Sequence, residues 1–370
     1  MSSIGGFPLE LLEEGKRVFQ ICNACRYCEG FCAVFPALER RLELSPGDVN
    51  YLANLCHDCG ECYYSCPYAP PHEFDVNVPR VLAEVRRESY RRFAWPGFLS
   101  RWLGRTGPAL TLAILGIPMV FLIGALLFTD PAVFFSAHSV AEGSFYAIVP
   151  HTVMVSSFGL VGVCVLLALA VGFAAFWRDV GEGRGTLFSL PALSRAAWDA
   201  LRLRYLNGGG EGCAYPEEIP SQARRRFHHL TFYGFALCFA ATTVAAFYHN
   251  VLGWEAPYPF WSVPVLLGSV GGVGLLVGPV GLLWLKLDRN PETADQGQTS
   301  MDVAFLVLLF LTSLTGMLLL VLRETAAMSI TLVVHLGIVM GLFLTLPYGK
   351  FVHGFYRFGA LVRNAKEQRR

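Results

Sequence analysis

Eight of the eleven cysteines are gathered in two short runs near the start of the chain. The runs are Cys22-x2-Cys25-x2-Cys28-x3-Cys32 and Cys56-x2-Cys59-x2-Cys62-x3-Cys66, and Pro67 follows the second. In two-cluster bacterial ferredoxins this spacing lets three thiolates of a run bind one cubane while the fourth reaches the other. The spacing therefore predicts two [4Fe–4S] clusters, one held by Cys22, Cys25, Cys28 and Cys66 and the other by Cys56, Cys59, Cys62 and Cys32.

Zinc is the competing interpretation of these cysteines, because Cys-x2-Cys pairs also bind Zn²⁺. Structural zinc sites use two separated pairs, whereas here four cysteines fall within eleven residues, twice. We therefore favour clusters, although no proline directly follows Cys32 as one follows Cys66. The remaining three cysteines fit no ligand pattern and are interpreted as ordinary residues; they are Cys164, Cys213 and Cys238.

Four histidines lie at or near the ends of two long apolar segments. His228 and His249 lie at opposite ends of one segment, and His335 and His353 belong to the last one. Ionisable side chains inside a membrane are costly and are candidates for functional roles. Matched by depth, these residues predict two pairs of axial haem ligands, His228 with His353 at the inside face and His249 with His335 at the outside face.

Helical periodicity refines the choice of ligands. His335 and His353 are 18 residues apart, which is five turns, so they share one face about 27 Å apart along the axis. His228 lies within about 60° of His249 around its helix, whereas His229 points to nearly the opposite side. The sequence thus predicts one or two haem b groups, and the alternative of interfacial or hydrogen-bonded histidines stays open. The alternate ligands are His229 and His151.

These motifs need a membrane-embedded scaffold, which the composition predicts. Of the 370 residues, 54% are hydrophobic and only 15% are charged, against about 25% charged in soluble domains. Six apolar segments are long enough for the roughly 20 residues that cross a bilayer, at about 107–130, 146–177, 227–251, 260–287, 301–322 and 327–347. The predicted fold is mainly α, with a ferredoxin-like two-[4Fe–4S] domain at 1–106 and a six-helix transmembrane bundle at 107–370. A helix inserted around Asp48–Leu55 separates the two cysteine runs.

Basic residues near the span ends predict the orientation. The loop 178–226 carries eight arginines, whereas the loops 131–145 and 252–259 carry none. Both termini and the cysteine domain are therefore expected in the cytoplasm, and the first 20 residues show no signal peptide. Within the loop, Leu190–Leu206 has the pattern of an amphipathic helix, which either lies on anionic lipid or docks on a partner or on the cysteine domain. The net charge of +1 gives no indication of a nucleic-acid partner.

Several stretches beyond the cysteines resemble a known family over nearly the whole chain. They are FDVNVPRVLAEVR, LRLRYLNGGGEGCAYP, RRRFHHLTFYGFALCFA and VVHLGIVMGLFLTLPYGKFVHGFYR. The sequence resembles the tricarballylate/citrate utilization protein B family of membrane iron–sulfur and haem electron-transfer proteins. The last stretch also resembles the cytochrome b subunit of respiratory nitrate reductases, in which two similarly placed histidines bind haem. The positions that match them are His335 and His353.

The resemblance implies a role in electron transfer. It implies that a separate FAD-dependent, tricarballylate dehydrogenase-like flavoprotein oxidises tricarballylate or a citrate-like acid. Electrons then pass through the clusters and haem b to quinone in the bacterial cytoplasmic (inner) membrane. The chain itself shows no Gly-rich dinucleotide fingerprint, so it is expected to be inactive alone on the organic acid, and no catalytic residue is assigned.

Two other functions remain open at this point. A quinol-linked reductase subunit that acts on a cytoplasmic disulfide or another acceptor would use the same parts with electrons flowing in reverse. A transporter with a regulatory iron–sulfur domain would belong to a different class. The apolar segments carry no acidic residues in mid-membrane and show no inverted repeat, which disfavours the transporter.

Overall fold

The computed structural model of the chain describes residues 3–4, 7–138, 144–181 and 189–369. The described part is mostly helical, as predicted, with only two short β-hairpins of two-residue strands. The strands are β1 (Ser3–Ile4), β2 (Phe7–Pro8), β3 (Cys213–Ala214) and β4 (Pro220–Ser221). Parts of the predicted loops 131–145 and 178–226 lie outside the described residues, including Arg184.

Six helices form the N-terminal domain. They are α1 (Leu9–Cys25), α2 (Val34–Leu38), α3 (Pro46–Leu55), α4 (Glu61–Tyr64), α5 (Val78–Phe93) and α6 (Gly97–Leu103). The predicted helix between the cysteine runs is confirmed as α3. It begins at a capping box, in which the Ser45 hydroxyl accepts from the Asp48 amide and the Asp48 carboxylate accepts from the Ser45 amide. Such reciprocal bonds satisfy amides that the first helical turn leaves unpaired.

The six predicted membrane spans are confirmed as six long apolar helices. The first span, Thr106–Phe128, consists of α7 (Thr106–Thr111), a π-helical turn and α8 (Ile117–Phe128). A short helix, α9 (Pro131–Phe134), follows it. The other spans are α10 (His151–Asp179), α12 (Ala223–Leu252), α13 (Val263–Leu287), α14 (Gln296–Leu322) and α15 (Met328–Thr345), which a 3₁₀ turn extends to Tyr348. Each of the six contains an 18-residue window of mean hydropathy 1.7 or more.

Glycines bring α12 and α13 into close contact. A Cβ on Gly234 would lie 2.9 Å from the carbonyl oxygen of Gly271, and a Cβ on Gly271 would lie 2.8 Å from that of Gly234. A side chain at either position would therefore push the two backbones apart. Small residues serve this purpose between membrane helices because they allow the backbones to approach closely.

The amphipathic segment of the loop 178–226 forms a shorter helix than predicted. Helix α11 spans Leu190–Leu201, and a 3₁₀ turn covers Arg204–Leu206. Its small-residue face, with Ala192 and Ala196 fully buried, packs against α16 (His353–Glu367), the last helix. Leu190 and Trp198 remain exposed on α11. One face of this helix is therefore docked on the protein, while its bulkiest apolar side chains are available to a lipid surface.

The N-terminal domain packs on one end of the bundle and on α16. Asp48 accepts from Arg41 at 2.8 Å within the domain and from Arg363 of α16 at 3.0 Å. Glu367, on the last turn of α16, forms ion pairs with Arg41 and Arg363. The first 60 residues and the last 20 are thus joined by one partly buried network of charges.

Candidate cluster and haem sites

The first predicted cluster site lies at the end of α1. Cys22 and Cys25 occupy its last turn, and Arg26, in the left-handed conformation with φ 56°, ends the helix and turns the chain toward Cys28. These three cysteines and Cys66 line one cavity. Apolar side chains form the rest of its wall, among them Ile21, Phe35, Val76 and Val78. The structure therefore brings together the four cysteines of the first predicted ligand set.

The second predicted site lies deeper, toward the membrane bundle. Cys32, Cys56, Cys59 and Cys62 line a second cavity. Gly60 has a φ of 84°, and a Cβ on it would lie 2.4 Å from the carbonyl oxygen of Ala214, so only glycine fits this turn. Cys62 also lines the first cavity, which makes its segment the wall between the two sites. The second predicted ligand set is likewise gathered around one space.

The chemistry of both donor sets fits iron–sulfur clusters. Burial and the neighbouring sulfurs Cys28, Cys66 and Cys25 raise the pKa of the Cys22 thiol to about 12. Thiolate ligands in such a place therefore need the positive charge of iron to remain deprotonated. Among the described residues, no three His, Cys, Asp or Glu side chains converge tightly enough to hold a single metal ion. The eight cysteines instead line two neighbouring cavities.

Four arginines lie around the second site, of which Arg86 and Arg289 are buried and Arg224 and Arg357 half-buried, and Asp58 is the carboxylate that pairs with the two buried ones. Arg289 donates to both oxygens of Asp58, at 2.7 and 3.1 Å, and Arg86 lies 3.5 Å from the same carboxylate. Arg224 donates to the Asp58 carbonyl, and Arg357 donates to the Cys56 carbonyl at 2.8 Å. Burial alone would raise the pKa of Asp58, but Arg289 and Arg86 lower it well below its ordinary value.

This group of arginines leaves an excess of buried positive charge, which is costly without a compensating anion. A [4Fe–4S] cluster held by four thiolates carries net negative charge and would supply that compensation. The arginines also join the two parts of the protein, because Arg86 lies on α5, Arg224 on α12 and Arg289 just after α13.

The structure brings the inner histidine pair together. The ring centroids of His228 and His353 are 6.2 Å apart, and the ring planes meet at 72°. Metal–imidazole bonds are about 2 Å long, so two imidazoles on opposite sides of one metal have centroids roughly 6 Å apart. His353 Nδ1 donates to the Lys350 carbonyl at 2.6 Å, which leaves Nε2 for a ligand. Burial and the Arg357 cation lower the pKa of His353, so its imidazole is neutral and able to bind iron.

His229 has a different environment. Its ring lies 5.7 Å from that of Tyr233, whereas His228 is the one that faces His353. Helical periodicity favoured His228 over His229 as the inward ligand, and His228 is the one placed beside His353; its role as a haem ligand stays a prediction.

The outer pair is not formed as predicted. His249 stacks on His151, with ring centroids 3.6 Å apart, and Tyr146 packs at 5.2 Å from His249. His335 instead forms a hydrogen bond with the Thr315 hydroxyl at 3.0 Å. The His151–His249 spacing is too short to admit an iron between the rings, and His335 faces another partner. The structure therefore does not bring His249 and His335 together as a pair, and His249 and His151 as placed leave no room for an iron between them.

The second cluster site and the inner histidines are direct neighbours. Arg357 lies one helical turn beyond His353 and donates to the backbone of Cys56. His57, which follows Cys56 in the chain, is buried, and its Nδ1 donates to the Leu55 carbonyl at 2.9 Å. The Coulombic influence of both Arg357 and His228 reaches His57 and lowers its pKa, after the larger effect of burial.

Two features of the site were missed from the sequence. Cys213, interpreted as an ordinary residue, is fully buried within reach of Cys59, and its thiol donates to the Leu206 carbonyl at 3.4 Å. The arginines around Asp58 were not predicted as part of a site, and Arg224 was counted only among the loop arginines that predict the orientation. For Cys213, the nearest signal in the sequence was the Gly-rich stretch 207–214 around it, because glycines in a polar loop indicate that another backbone approaches closely.

Comparison with known proteins finds a matching family and a similar relative. The family described as Citrate utilization protein B matches residues 105–370, and its Fer4-like domain matches residues 15–92. Citrate utilization protein B of Escherichia coli is 51% identical over 359 residues, which cover 96% of this chain and 93% of that protein. No solved structure matches.

Proposed function

Because the chain belongs to the citrate utilization protein B family and its N-terminal part is a Fer4-like domain, we propose that it is an electron carrier to quinone. The electrons come from the reduced FAD of a partner dehydrogenase and pass through two [4Fe–4S] clusters and one haem b. The substrate of that flavoprotein is tricarballylate or a citrate-like acid.

One observation carries the proposal. Arg357 links the backbone of Cys56, a predicted cluster ligand, to the helix of His353, a predicted haem ligand. Two sites for one-electron carriers thus lie side by side, one in the cysteine domain and one at the adjoining end of the membrane helices. When bound, the clusters and the haem supply the one-electron steps needed between a two-electron flavin and a two-electron quinone.

The residues of the chain hold these groups and keep water away from them. Lys350 fixes the orientation of the His353 ring through its carbonyl, since the partner of Nδ1 decides which nitrogen remains for a metal. The arginines around Asp58 lower the energy of negative charge at the second cluster site. The first cluster site is nearer the surface, where Tyr27 is 64% exposed, and a flavoprotein can approach it there.

The proposed location is the bacterial cytoplasmic membrane, with both termini in the cytoplasm. Helix α11 of the arginine-rich loop, the cysteine domain and α16 lie at the same end of the bundle, and basic residues concentrate on the cytoplasmic side of membrane proteins. A soluble dehydrogenase would therefore reach the first cluster site directly.

The test is a dithionite-reduced minus oxidised optical spectrum of the purified full chain, with iron, zinc, sulfide and haem assays on the same sample. We expect b-type bands at one haem per chain and about eight non-haem irons with eight sulfides. Two haems would overturn the single inner site. Clusters without haem would overturn the relay through His228 and His353, and zinc without sulfide would overturn the whole proposal.

A further inference from the structure

A cavity lies in the membrane bundle close to the inner histidines. It is bounded by the start of α7, the first turns of α14 and the end of the last span. Its lining is mostly apolar and includes Ala109, Leu110, Ala304, Phe305 and Leu308. Gly104, on the rim, is exposed. Tyr348 donates to the Trp95 carbonyl at 3.2 Å, which fixes another part of the wall.

One charged side chain reaches this cavity. Lys350 lines it, and only 16% of that side chain is exposed. Its Nζ lies 2.7 Å from Asp302, which also pairs with Lys286 at 2.6 Å. Two cations therefore share one anion, and a positive charge remains without a carboxylate among these three residues.

The amide of Gln298 offers Lys350 a further acceptor. In the orientation that satisfies both of its ends, the Gln298 oxygen accepts from Lys350 Nζ at 2.6 Å and its nitrogen donates to the Ala83 carbonyl at 2.8 Å. An ammonium group has three N–H donors. Asp302 and Gln298, neither of which lines the cavity, account for two of them, which leaves one N–H for a ligand.

The backbone of Lys350 also connects the cavity to the inner histidine pair. Its carbonyl accepts from His353 Nδ1 at 2.6 Å. A ligand held by the Lys350 side chain would thus lie one residue from the group that orients a predicted haem ligand. No other lining residue has this double role among those the structure describes.

We propose that this cavity binds the head group of a membrane quinone, with Lys350 Nζ donating a hydrogen bond to a quinone carbonyl. This inference rests on the proposed function and adds the place where the acceptor binds. The apolar walls suit the ring and the first part of the isoprenoid tail, which enters from the lipid at the Gly104 rim. A quinone is apolar overall but carries carbonyl acceptors, whereas a phosphate head group would lose much more hydration on entry.

Two variants test the site by different routes. Ala304→Phe fills the cavity without touching a charge, and Lys350→Met removes the donor but keeps the backbone carbonyl that His353 needs. Ala246→Phe is the matched control, because Ala246 is exposed on α12 and does not line the cavity. The full-length proteins are photolabelled with an azidoquinone, and the labelled peptides are mapped. The dithionite-reduced proteins are then reoxidised with decylubiquinone.

We expect label in the peptides around 103–110, 301–308 or 345–350, competed by decylubiquinone. The decylubiquinone concentration for half-maximal reoxidation should rise about tenfold in both variants and stay unchanged in Ala246→Phe. The Lys350→Arg variant should recover most of the affinity. Label that is competed by phospholipid but not by decylubiquinone would make the cavity a lipid site and overturn the proposal.

The outcomes separate the two hypotheses. If decylubiquinone does not reoxidise the wild-type protein, the proposed function itself fails. If it reoxidises the wild type, Ala304→Phe and Lys350→Met equally well, the function stands and the site assignment is wrong.

Discussion

Arg357 Nη2 donates to the backbone carbonyl of Cys56 at 2.8 Å, across 301 residues of sequence. The arginine belongs to the same helix as His353, and the cysteine belongs to the second predicted cluster set. A movement of α16 therefore displaces both sites together. This contact joins the cysteine domain to the helix that carries His353.

The inner histidines are expected to be essential for haem. His353→Ala and His228→Ala should each lower the haem-to-protein ratio to near zero, because each removes one axial ligand. The measurement is a pyridine haemochrome assay on purified protein. His229→Ala is the matched control and should retain its haem, since its ring lies beside Tyr233. Loss of haem in the control alone would reverse the assignment.

The outer histidine of the last span is expected to be dispensable for haem. His335→Leu should leave the haem ratio and the optical spectrum unchanged, because His335 bonds to Thr315 and has no facing imidazole. The cost should be limited to the lost hydrogen bond, about 1 kcal/mol of stability. A halved haem ratio in this variant would show that a second haem is bound there.

The second cluster set is expected to be required for electron flow to quinone. Cys59→Ala should remove about half of the non-haem iron and block quinone reduction, while the partner flavoprotein still reduces artificial dyes. Cys164→Ala is the control, because Cys164 is exposed on α10 and away from both cavities. Quinone reduction that survives in Cys59→Ala would contradict the proposed path.

The stability of the protein is expected to depend on the charge of Asp58, because buried arginines surround it. Asp58→Asn leaves Arg86 and Arg289 without their carboxylate in a buried place, which should cost about 3–5 kcal/mol of stability. Thermal unfolding of the purified protein measures the effect. Asp288→Asn, at an exposed position one residue before Arg289, should change stability by less than about 0.5 kcal/mol. Equal losses of stability in both variants would mean that the ion pairs of Asp58 with Arg86 and Arg289 stabilise the protein no more than an exposed aspartate does.

The network at Asp48 predicts a dependence of stability on pH. Burial alone would raise the pKa of Asp48, but hydrogen bonds from Ser45 and Arg41 and the charge of Arg363 lower it below its ordinary value. The unfolded state therefore binds the proton more readily. The stabilisation is complete above the unfolded pKa, about 4, and is lost as the pH falls through the folded pKa.

Comparison with Asp48→Asn isolates this contribution. The melting temperature of the wild type should exceed that of Asp48→Asn at pH 7, and the difference should shrink toward pH 3. A difference that stays constant over this range would assign the effect to packing and not to charge.

The fold and the inner histidines, His228 and His353, were predicted from periodicity and spacing. Apolar length alone predicted six spans, and the turn angle of an α-helix favoured His228 over His229. Depth along a helix does not reveal which helices are neighbours, however. The order of the bundle puts His151 beside His249 and Thr315 beside His335, and that order depends on contacts such as the close Gly234–Gly271 approach. The arginines around Asp58 come from three distant segments, so no local pattern could have grouped them.

The contacts of α16 join residues that are made at very different times. Glu367 pairs with Arg41 and Arg363 pairs with Asp48, at sequence separations of 326 and 315 residues. During translation the cysteine domain emerges long before any membrane helix is inserted. The domain can fold in that period, and its docking on the bundle is completed in steps. Its contact with Asp179 of α10 can form before that of Asp58 with Arg289, and the contacts with α16 form after both.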